Sequence, residues 1–252
     1  ASVLPDAVLT GQATLRWPAE AGAALAGTAA IALAPRDGAL PLTGAVDLAL
    51  EGGRTFIRTA AFEMPGARLS VSGWIDPSAR ESVFSLEGDL QATEVTPLAS
   101  FLERRFPHSR ESSAPRLTDL AGSLNFSGRV EGSPASPRLE GSFSSNRATV
   151  SFIPLPFTLI DGTIRLSEGI VSLDLHSLAG EGLAASGSLR ADIRRGRLLA
   201  ATLEPSDLPA SLLAALAGLN LEESAPAGAV HAQAEVLDEG TGLTGSFELY
   251  SD

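Results

Sequence analysis

The chain has 252 residues, long enough to bury a sizeable core, and 44% of them are hydrophobic although only 5% are aromatic. Its 30 acidic residues against 18 basic ones give a formal net charge of −12, which repels phosphate backbones and argues against nucleic-acid binding. The absence of Cys excludes disulfides, thiolate zinc sites and a cysteine nucleophile, and no apolar run reaches the ~20 residues that a membrane-spanning helix needs.

Apolar and polar residues alternate through most of the chain, as is typical of strands with one apolar face and one wet face. The alternation is clearest at residues 46–50, 69–75, 84–90, 124–126, 164–166 and 171–175. Short turn-like sequences separate these runs, namely EGG at 51–53, MPG at 64–66, DPS at 76–78, IDG at 160–162 and SEG at 167–169. Connections this short favour antiparallel meanders, because a parallel crossover needs about a dozen residues or more.

Two segments break the alternation, and each begins with a proline suited to the first turn of a helix. They are TPLASFLERRF at 96–106 and LPASLLAALAGL at 208–219. We predict short helices over about 97–106 and 208–219. The second has leucines at helical spacing and is too short to span a membrane, so we expect it to cap one edge of the sheet.

Equivalent features recur about 110 residues apart, since Pro97 and Pro209 are separated by 112 residues and Gly73 and Gly187 by 114. This spacing predicts an elongated repeat architecture. The predicted parts are a first β-meander repeat with its helix (1–106), a polar linker (107–119), a second repeat with its helix (120–221) and the start of a third, truncated repeat (222–252). We expect the array to continue beyond Asp252.

The second repeat contains three motifs in a distinctive order. They are GSLNFSGRVEGSPASPRLEGSF at 122–143, FTLIDGTIRLSEGIVSLDLHSLAGEGLAASGSLRADI at 157–193 and LEPSDLPASLLAAL at 203–216. Their order resembles that of the TamB (translocation and assembly module) and AsmA-like proteins of Gram-negative envelopes. The resemblance implies an all-β fold, in which repeats of antiparallel strands curl into an elongated, taco-like groove with an apolar inner wall.

An apolar sheet face must be covered, and two short helices cannot cover a meander of about a dozen strands. The sheet is therefore expected to curl on itself, either as a packed sandwich or as an open trough; the resemblance favours the trough. Asp47, Ser70, Arg165 and Asp174 are expected to face solvent. The candidate lipid-groove lining residues, all expected on the interior face, are Leu48, Leu50, Leu69, Val71, Leu124, Phe126, Ile164, Leu166, Val171, Leu173 and Leu175.

Residue types that support catalysis are sparse. Asp174, His176 and Ser177 lie close together in sequence, but neighbours on one strand do not form a catalytic triad, and a solvated strand face explains them. The sequence has no phosphate loop, nucleophile elbow, HExxH motif or calcium loop. The densest basic cluster, RRGR at 194–197, is expected in a hairpin turn, with contact to anionic lipid headgroups as the alternative. We predict that the protein is not an enzyme and uses no metal or cofactor.

The predicted function follows from the resemblance. It implies a periplasmic segment of an inner-membrane-anchored protein, with an apolar groove for phospholipid transport between the inner and outer membranes, for outer-membrane protein assembly, or for both. The implied partners are phospholipid acyl chains and an outer-membrane β-barrel. The alternatives are a structural or adhesin-like β protein with a filled core and no lipid conduit, and an enzyme on a β-solenoid, which would need an acidic cluster or metal site in a cleft.

Overall fold

A computed structural model gives the fold of the chain. It describes residues 7–16, 25–36, 41–77, 83–105, 120–150, 153–180, 183–195, 197–209, 229–238 and 243–251. Strands dominate these residues, and the prediction of an all-β, antiparallel architecture is confirmed.

Six strands precede a single described helix. They are β1 (Ala7–Arg16), β2 (Ala26–Pro35), β3 (Thr43–Glu51), β4 (Arg54–Met64), β5 (Ala67–Asp76) and β6 (Val83–Ala92), and the helix is α1 (Thr96–Arg105). Ten strands follow it, namely β7 (Leu120–Gly122), β8 (Leu124–Ser133), β9 (Ser136–Ser145), β10 (Ala148–Val150), β11 (Ile153–Ser167), β12 (Ile170–Gly180), β13 (Leu183–Asp192), β14 (Arg197–Pro209), β15 (Ala229–Asp238) and β16 (Leu243–Ser251).

Fourteen of these strands lie side by side in one large antiparallel sheet that does not close. Their order is β1-β2-β3-β4-β5-β6-β8-β9-β11-β12-β13-β14-β15-β16, so each strand except the two outermost pairs with two neighbours. The short strands β7 and β10 lie off this path and pair with each other, and β10 also pairs with β11. The order follows the chain, as the short connections predict.

The chain divides into two compact units, an N-terminal unit (Ala1–Gly141) and a C-terminal unit (Ser142–Asp252), at a boundary inside β9. The predicted linker, 107–119, lies outside the described residues. The long strands β6 and β8, which precede α1 and follow β7, pair directly with each other from Phe84↔Gly132 to Ala92↔Leu124. The helix therefore lies in the connection between two strands that are neighbours in the sheet. The repeat boundaries drawn from the sequence stay a prediction.

Glycines occupy hairpin turns in which the backbone adopts positive φ values. Gly52 and Gly53 join β3 to β4 with φ values of 59° and 81°, the mirror-image turn geometry that matches strand twist. The predicted turns at EGG, MPG and SEG are confirmed, and Pro77 of DPS is a turn residue. The turn predicted at IDG, 160–162, is wrong, because these residues continue β11 through a register shift between Asp161 and Gly162.

Helix α1 confirms the helix predicted over 97–106. Four hydrogen bonds fix its start, and three of them join it to Gly66 or Gly122. The Thr93 amide donates to the Gly66 carbonyl at 2.8 Å and the Val95 amide to the Gly122 carbonyl at 2.8 Å. The Glu94 carboxylate accepts from the Thr96 hydroxyl at 3.0 Å and from the Gly122 amide at 3.1 Å.

The second predicted helix, 208–219, is wrong at its first two residues. Leu208 and Pro209 end β14 and pair with Val230 and Ala229 of β15. Pairing with a neighbouring strand supplies partners for the backbone there, and a proline, which lacks an amide hydrogen, is tolerated at a strand end. Residues 210–219 lie outside the described residues.

The buried core of the described residues is small. Phe157, which is 3% exposed, is the one large hydrophobic side chain that is buried among the described residues. The buried hydrophobic residues are Ala49, Ala60, Ala92, Ala99, Phe157 and Ala185. The other large apolar side chains whose burial the structure describes keep part of their surface accessible.

Candidate functional site

The N-terminal unit has one continuous apolar sheet face. Residues directly opposite each other in an antiparallel pair project to the same face, so the strand register shows which side chains share it. One row across seven strands runs through Leu9, Leu33, Gly44, Phe62, Leu69, Leu90 and Phe126. The next rows contain Ala29, Leu48, Ile57, Gly73, Leu86 and Val130, and Ile31, Val46, Ala60, Val71, Gly88 and Gly128.

The candidate lining residues of this unit all belong to that face. Leu50 lies opposite Thr55, and Leu124 lies opposite Ala92, in rows that flank those above. A register shift between Asp47 and Leu48 occurs where β3 meets β4, and a second between Ile57 and Ala60 where β4 meets β5. These bulges change the parity of β4, so Ile57 and Ala60 project to the same face although they are three residues apart.

The opposite face of the N-terminal unit is polar on β5, β6 and β8 and carries several alanines on β2 and β3. Ser70 lies opposite Asp89, and Glu87 lies opposite Arg129. Asp47, predicted to face solvent, lies opposite Ala30 and Thr59 on this polar face and is half-buried rather than fully exposed. Ser70 is exposed as predicted.

The C-terminal unit repeats this division. Ile164 lies opposite Leu173, which lies opposite Leu189, and Leu166 lies opposite Val171. Leu175 lies between Gly162 and Gly187 on the same face. The candidate residues of this unit thus share one apolar face.

Polar side chains of the C-terminal unit lie on its other face. Arg165 is opposite Ser172, and Asp174 is opposite Thr163 and Ser188. The Ser188 and Thr202 hydroxyls are hydrogen-bonded across the next strand pair at 2.8 Å. Arg165 is exposed, whereas Asp174 is half-buried, as is its apolar neighbour Leu173.

Both apolar faces keep solvent-accessible surface. Of the candidate lining residues, Leu69 is 36% exposed and the other ten are half-buried. Leu9 is 53% exposed and Leu203, on the C-terminal unit, is 37% exposed. A face that is apolar row after row and still accessible is a candidate binding surface for apolar groups, because contiguous exposed apolar area is uncommon in monomeric soluble proteins.

Phenylalanine rings lie over glycines on the apolar face of the N-terminal unit. A Cβ atom at Gly44 would lie 2.6 Å from Cδ1 of Phe62, the residue opposite it. A Cβ at Gly128 would lie 2.6 Å from Cζ of Phe126, and one at Gly141 would lie 2.7 Å from the same atom. The rings therefore occupy the space that the missing side chains leave.

The Asp174, His176 and Ser177 group does not assemble as a triad. Strand β12 shifts register between Leu175 and Leu178, and His176 faces Asp161 of β11, with Nδ1 and Oδ2 3.6 Å apart. Both side chains are open to solvent, with 58% and 37% exposed. Within the described residues, no three His, Asp or Glu side chains are grouped to hold a metal ion.

The basic cluster RRGR begins in a hairpin turn, as predicted. Ile193–Arg195 form the turn between β13 and β14. The Asp192 carboxylate accepts from the Arg194 and Arg195 amides at 3.0 and 3.1 Å, which is a typical turn-stabilising contact.

Comparison of the chain with models of protein families, with curated proteins and with solved structures finds no match. The resemblance to the TamB and AsmA-like proteins is therefore a hypothesis that rests on the sequence motifs alone. Among the described helices, none has the length and apolar character needed to cross a membrane.

Proposed function

We propose that this chain binds phospholipid acyl chains on its apolar sheet faces, as a segment of a TamB/AsmA-like protein that crosses the periplasm. Its task in that setting is to move phospholipid between the inner and outer membranes, to assist assembly of an outer-membrane β-barrel protein, or both. The observation that supports the proposal is the succession of apolar rows whose large side chains stay partly accessible. The curvature belongs to the same proposal: the sheet curls into a taco-like groove around the acyl chain.

The energetics of such a surface are favourable for a lipid. Burial of a methylene group contributes about 0.8 kcal/mol, so complete burial of a sixteen-carbon chain contributes on the order of 12 kcal/mol. A surface that covers only half of the chain contributes roughly 6 kcal/mol by the same measure. That value allows reversible binding, which transport along a surface requires.

The alternative, a structural or adhesin-like protein with a filled core, predicts large side chains packed out of contact with water. Among the described residues, the buried hydrophobic residues other than Phe157 are alanines. The sheet in its described parts therefore offers accessible apolar surface where a filled core would have closed it, and this supports the lipid proposal.

A paired crosslinking experiment tests the proposal. A photo-reactive residue is placed at Leu173, or at Asp174 as the matched control, in the full-length protein in a Gram-negative host. The two positions are adjacent and both half-buried, but they project to opposite faces. We expect phospholipid to crosslink at position 173 and not at 174. Equal labelling, or none at 173, together with a lipid-free native mass spectrum of the purified chain, would refute the lipid proposal.

A further inference from the structure

We propose that the polar face of the N-terminal unit contains a binding site for a phosphate group, at the edge where β5, β6, β8 and β9 begin or end. A cavity of about 450 Å³ lies there, within the range typical of small-molecule sites. Its polar lining comprises Trp74, Ser85, Arg129, Glu131, Ser136 and Arg138. The site does not depend on the proposed lipid function, because these side chains belong to the polar face.

The strand register places three of these residues in one row. Trp74 lies opposite Ser85, which lies opposite Glu131. Arg129 is two residues before Glu131 on the same strand and projects to the same side. The regular pleat of β5, β6 and β8 therefore holds the indole, a hydroxyl and a guanidinium at fixed separations.

Arg129 is fixed at one end and available at the other. Its Nε donates to the Ser85 hydroxyl at 3.1 Å and lies 3.2 Å from a Glu131 carboxylate oxygen. Ser85 is only 7% exposed, so this hydrogen bond anchors the guanidinium to a buried group. With Nε occupied, the terminal Nη groups are the donors that a ligand can use.

Arg138 supplies a second guanidinium to the cavity. Within the part of the chain that the structure describes, it makes no hydrogen bond or ion pair. The third basic residue nearby, Arg54, is already engaged: it lies 5.0 Å from the Trp74 ring centre and pairs with Asp76 at 3.0 Å. Arg54 thus holds the indole in place, and Arg129 and Arg138 face the cavity.

The charges favour an anion at this site. Two guanidinium groups and one carboxylate line the cavity, which leaves a net charge of +1 in a chain whose net charge is −12. A neighbouring cavity of about 290 Å³ on the same unit differs, because Arg129 there is accompanied by Glu87, Asp89 and Glu140. An anion is therefore expected in the first cavity and not in the second.

Phosphate fits this donor set better than a carboxylate does. A single guanidinium fork satisfies both oxygens of a carboxylate, whereas two guanidinium groups and the Ser136 hydroxyl offer donors to a tetrahedral anion with more acceptor oxygens. A phosphate monoanion or a phosphodiester balances the local charge of +1. Free phosphate and a phosphodiester headgroup share this chemistry.

Fluorescence of Trp74 measures the binding directly. The chain has two tryptophans, so a Trp17→Phe background leaves Trp74 as the reporter. Titration with inorganic phosphate at constant ionic strength is expected to give a saturable change, and Arg138→Gln is expected to weaken binding about tenfold or more. Arg190→Gln is the matched control, because Arg190 is an exposed arginine on the polar face of the other unit, opposite Ser172.

One further probe, phosphatidylglycerol vesicles, distinguishes the source of the phosphate. If phosphatidylglycerol vesicles bind the chain and Arg138→Gln abolishes the binding, the ligand is a headgroup. If inorganic phosphate binds and the vesicles do not, the ligand is a soluble phosphate. A titration that does not saturate, or equal weakening by Arg138→Gln and Arg190→Gln, overturns the site. Neither outcome bears on crosslinking at position 173, so the two proposals fail separately.

Discussion

Gly73 lies inside β5 with a φ of 138°, a backbone conformation that residues with side chains rarely adopt. A Cβ atom there would also collide with the backbone carbonyl oxygen of Ser85 in β6. We therefore expect Gly73→Ala to lower the free energy of unfolding by about 2 kcal/mol or more, measured by urea denaturation.

Gly88, on the same apolar face, provides the control. A Cβ atom at Gly88 would make only ordinary contacts, 3.4 Å from the Ser70 carbonyl oxygen and 3.7 Å from Val71 Cγ2. Gly88→Ala is expected to change stability by less than about 1 kcal/mol. Equal losses from the two substitutions would show that close approach of β5 and β6 at Gly73 is not what requires glycine there.

Leu173 tests whether the apolar face is open. It is half-buried between Ile164 and Leu189, so in an open groove a charge at this position stays beside water. In an open groove we expect Leu173→Asp to lower the free energy of unfolding, measured in urea, by about 1 kcal/mol, whereas a closed core would lose several kcal/mol. We also expect it to abolish lipid crosslinking from a photo-reactive residue placed at a neighbouring position of the apolar face. Leu166→Arg should behave in the same way.

Ser172→Asp is the matched control for Leu173→Asp. It adds the same charge one residue away, on the polar face between Arg165 and Arg190. Stability and lipid crosslinking should both be nearly unchanged. If Leu173→Asp unfolds the chain while Ser172→Asp does not, the apolar face is a filled core and the lipid proposal fails.

At the scale of elements, Glu94 attaches α1 to the sheet. Its carboxylate receives the Thr96 hydroxyl and the partly buried Gly122 amide, so removing it leaves that amide without this acceptor. Glu94→Ala should reduce stability by about 1 kcal/mol and speed hydrogen exchange at the Thr96 and Gly122 amides.

The control for Glu94 is Glu63→Ala. Glu63 pairs with Arg68 at 2.7 Å, but both side chains are more than half exposed, and such surface pairs contribute little. Its removal should leave the exchange rates of Thr96 and Gly122 unchanged. If Glu63→Ala accelerates them equally, the attachment of α1 does not depend on Glu94.

Strands were the elements best predicted from the sequence, because alternation depends only on which side chains face water. The apolar rows through Leu48, Leu69 and Phe126 follow from that pattern and from hairpins closed by glycine turns. Register shifts were not predictable, because a bulge inserts a residue without a compositional signal. For this reason the IDG sequence was mistaken for a turn, and the contact of His176 with Asp161 was not predicted.

Helix propensity gave a wrong prediction where pairing with a neighbouring strand determined the secondary structure. The leucines and alanines after Leu208 are typical of a helix, yet Leu208 itself pairs with Val230 in the sheet. The polar-face cavity had no sequence signature, because Trp74 and Ser85 are far from Arg129 and Arg138 in the chain and meet them only through strand order. Sequence patterns therefore could not predict which distant strands pair, and that pairing determines which residues meet at the candidate sites.

At the scale of the whole molecule, the apolar faces follow from alternation but their curvature does not. Sheet twist accumulates from strand to strand, and bulges such as those in β4 and β12 alter it locally. Whether an apolar face bends around a ligand or stays open thus depends on details of register. The crosslinking pair at positions 173 and 174 tests lipid contact with the apolar face directly.

Strand order in the N-terminal unit has a mechanical consequence. From β1 to β6, every hydrogen-bonded neighbour is also the next strand along the chain. Tension applied at Ala7 would load these hairpins one after another, so each strand could peel away while the remainder stayed paired. Release of the ten residues of β1 would lengthen the chain by roughly 35 Å. Under tension between its two ends, this unit would unfold gradually, one strand at a time. A fold in which strands distant in the chain are neighbours would instead stay folded up to a higher force and then unfold in one step.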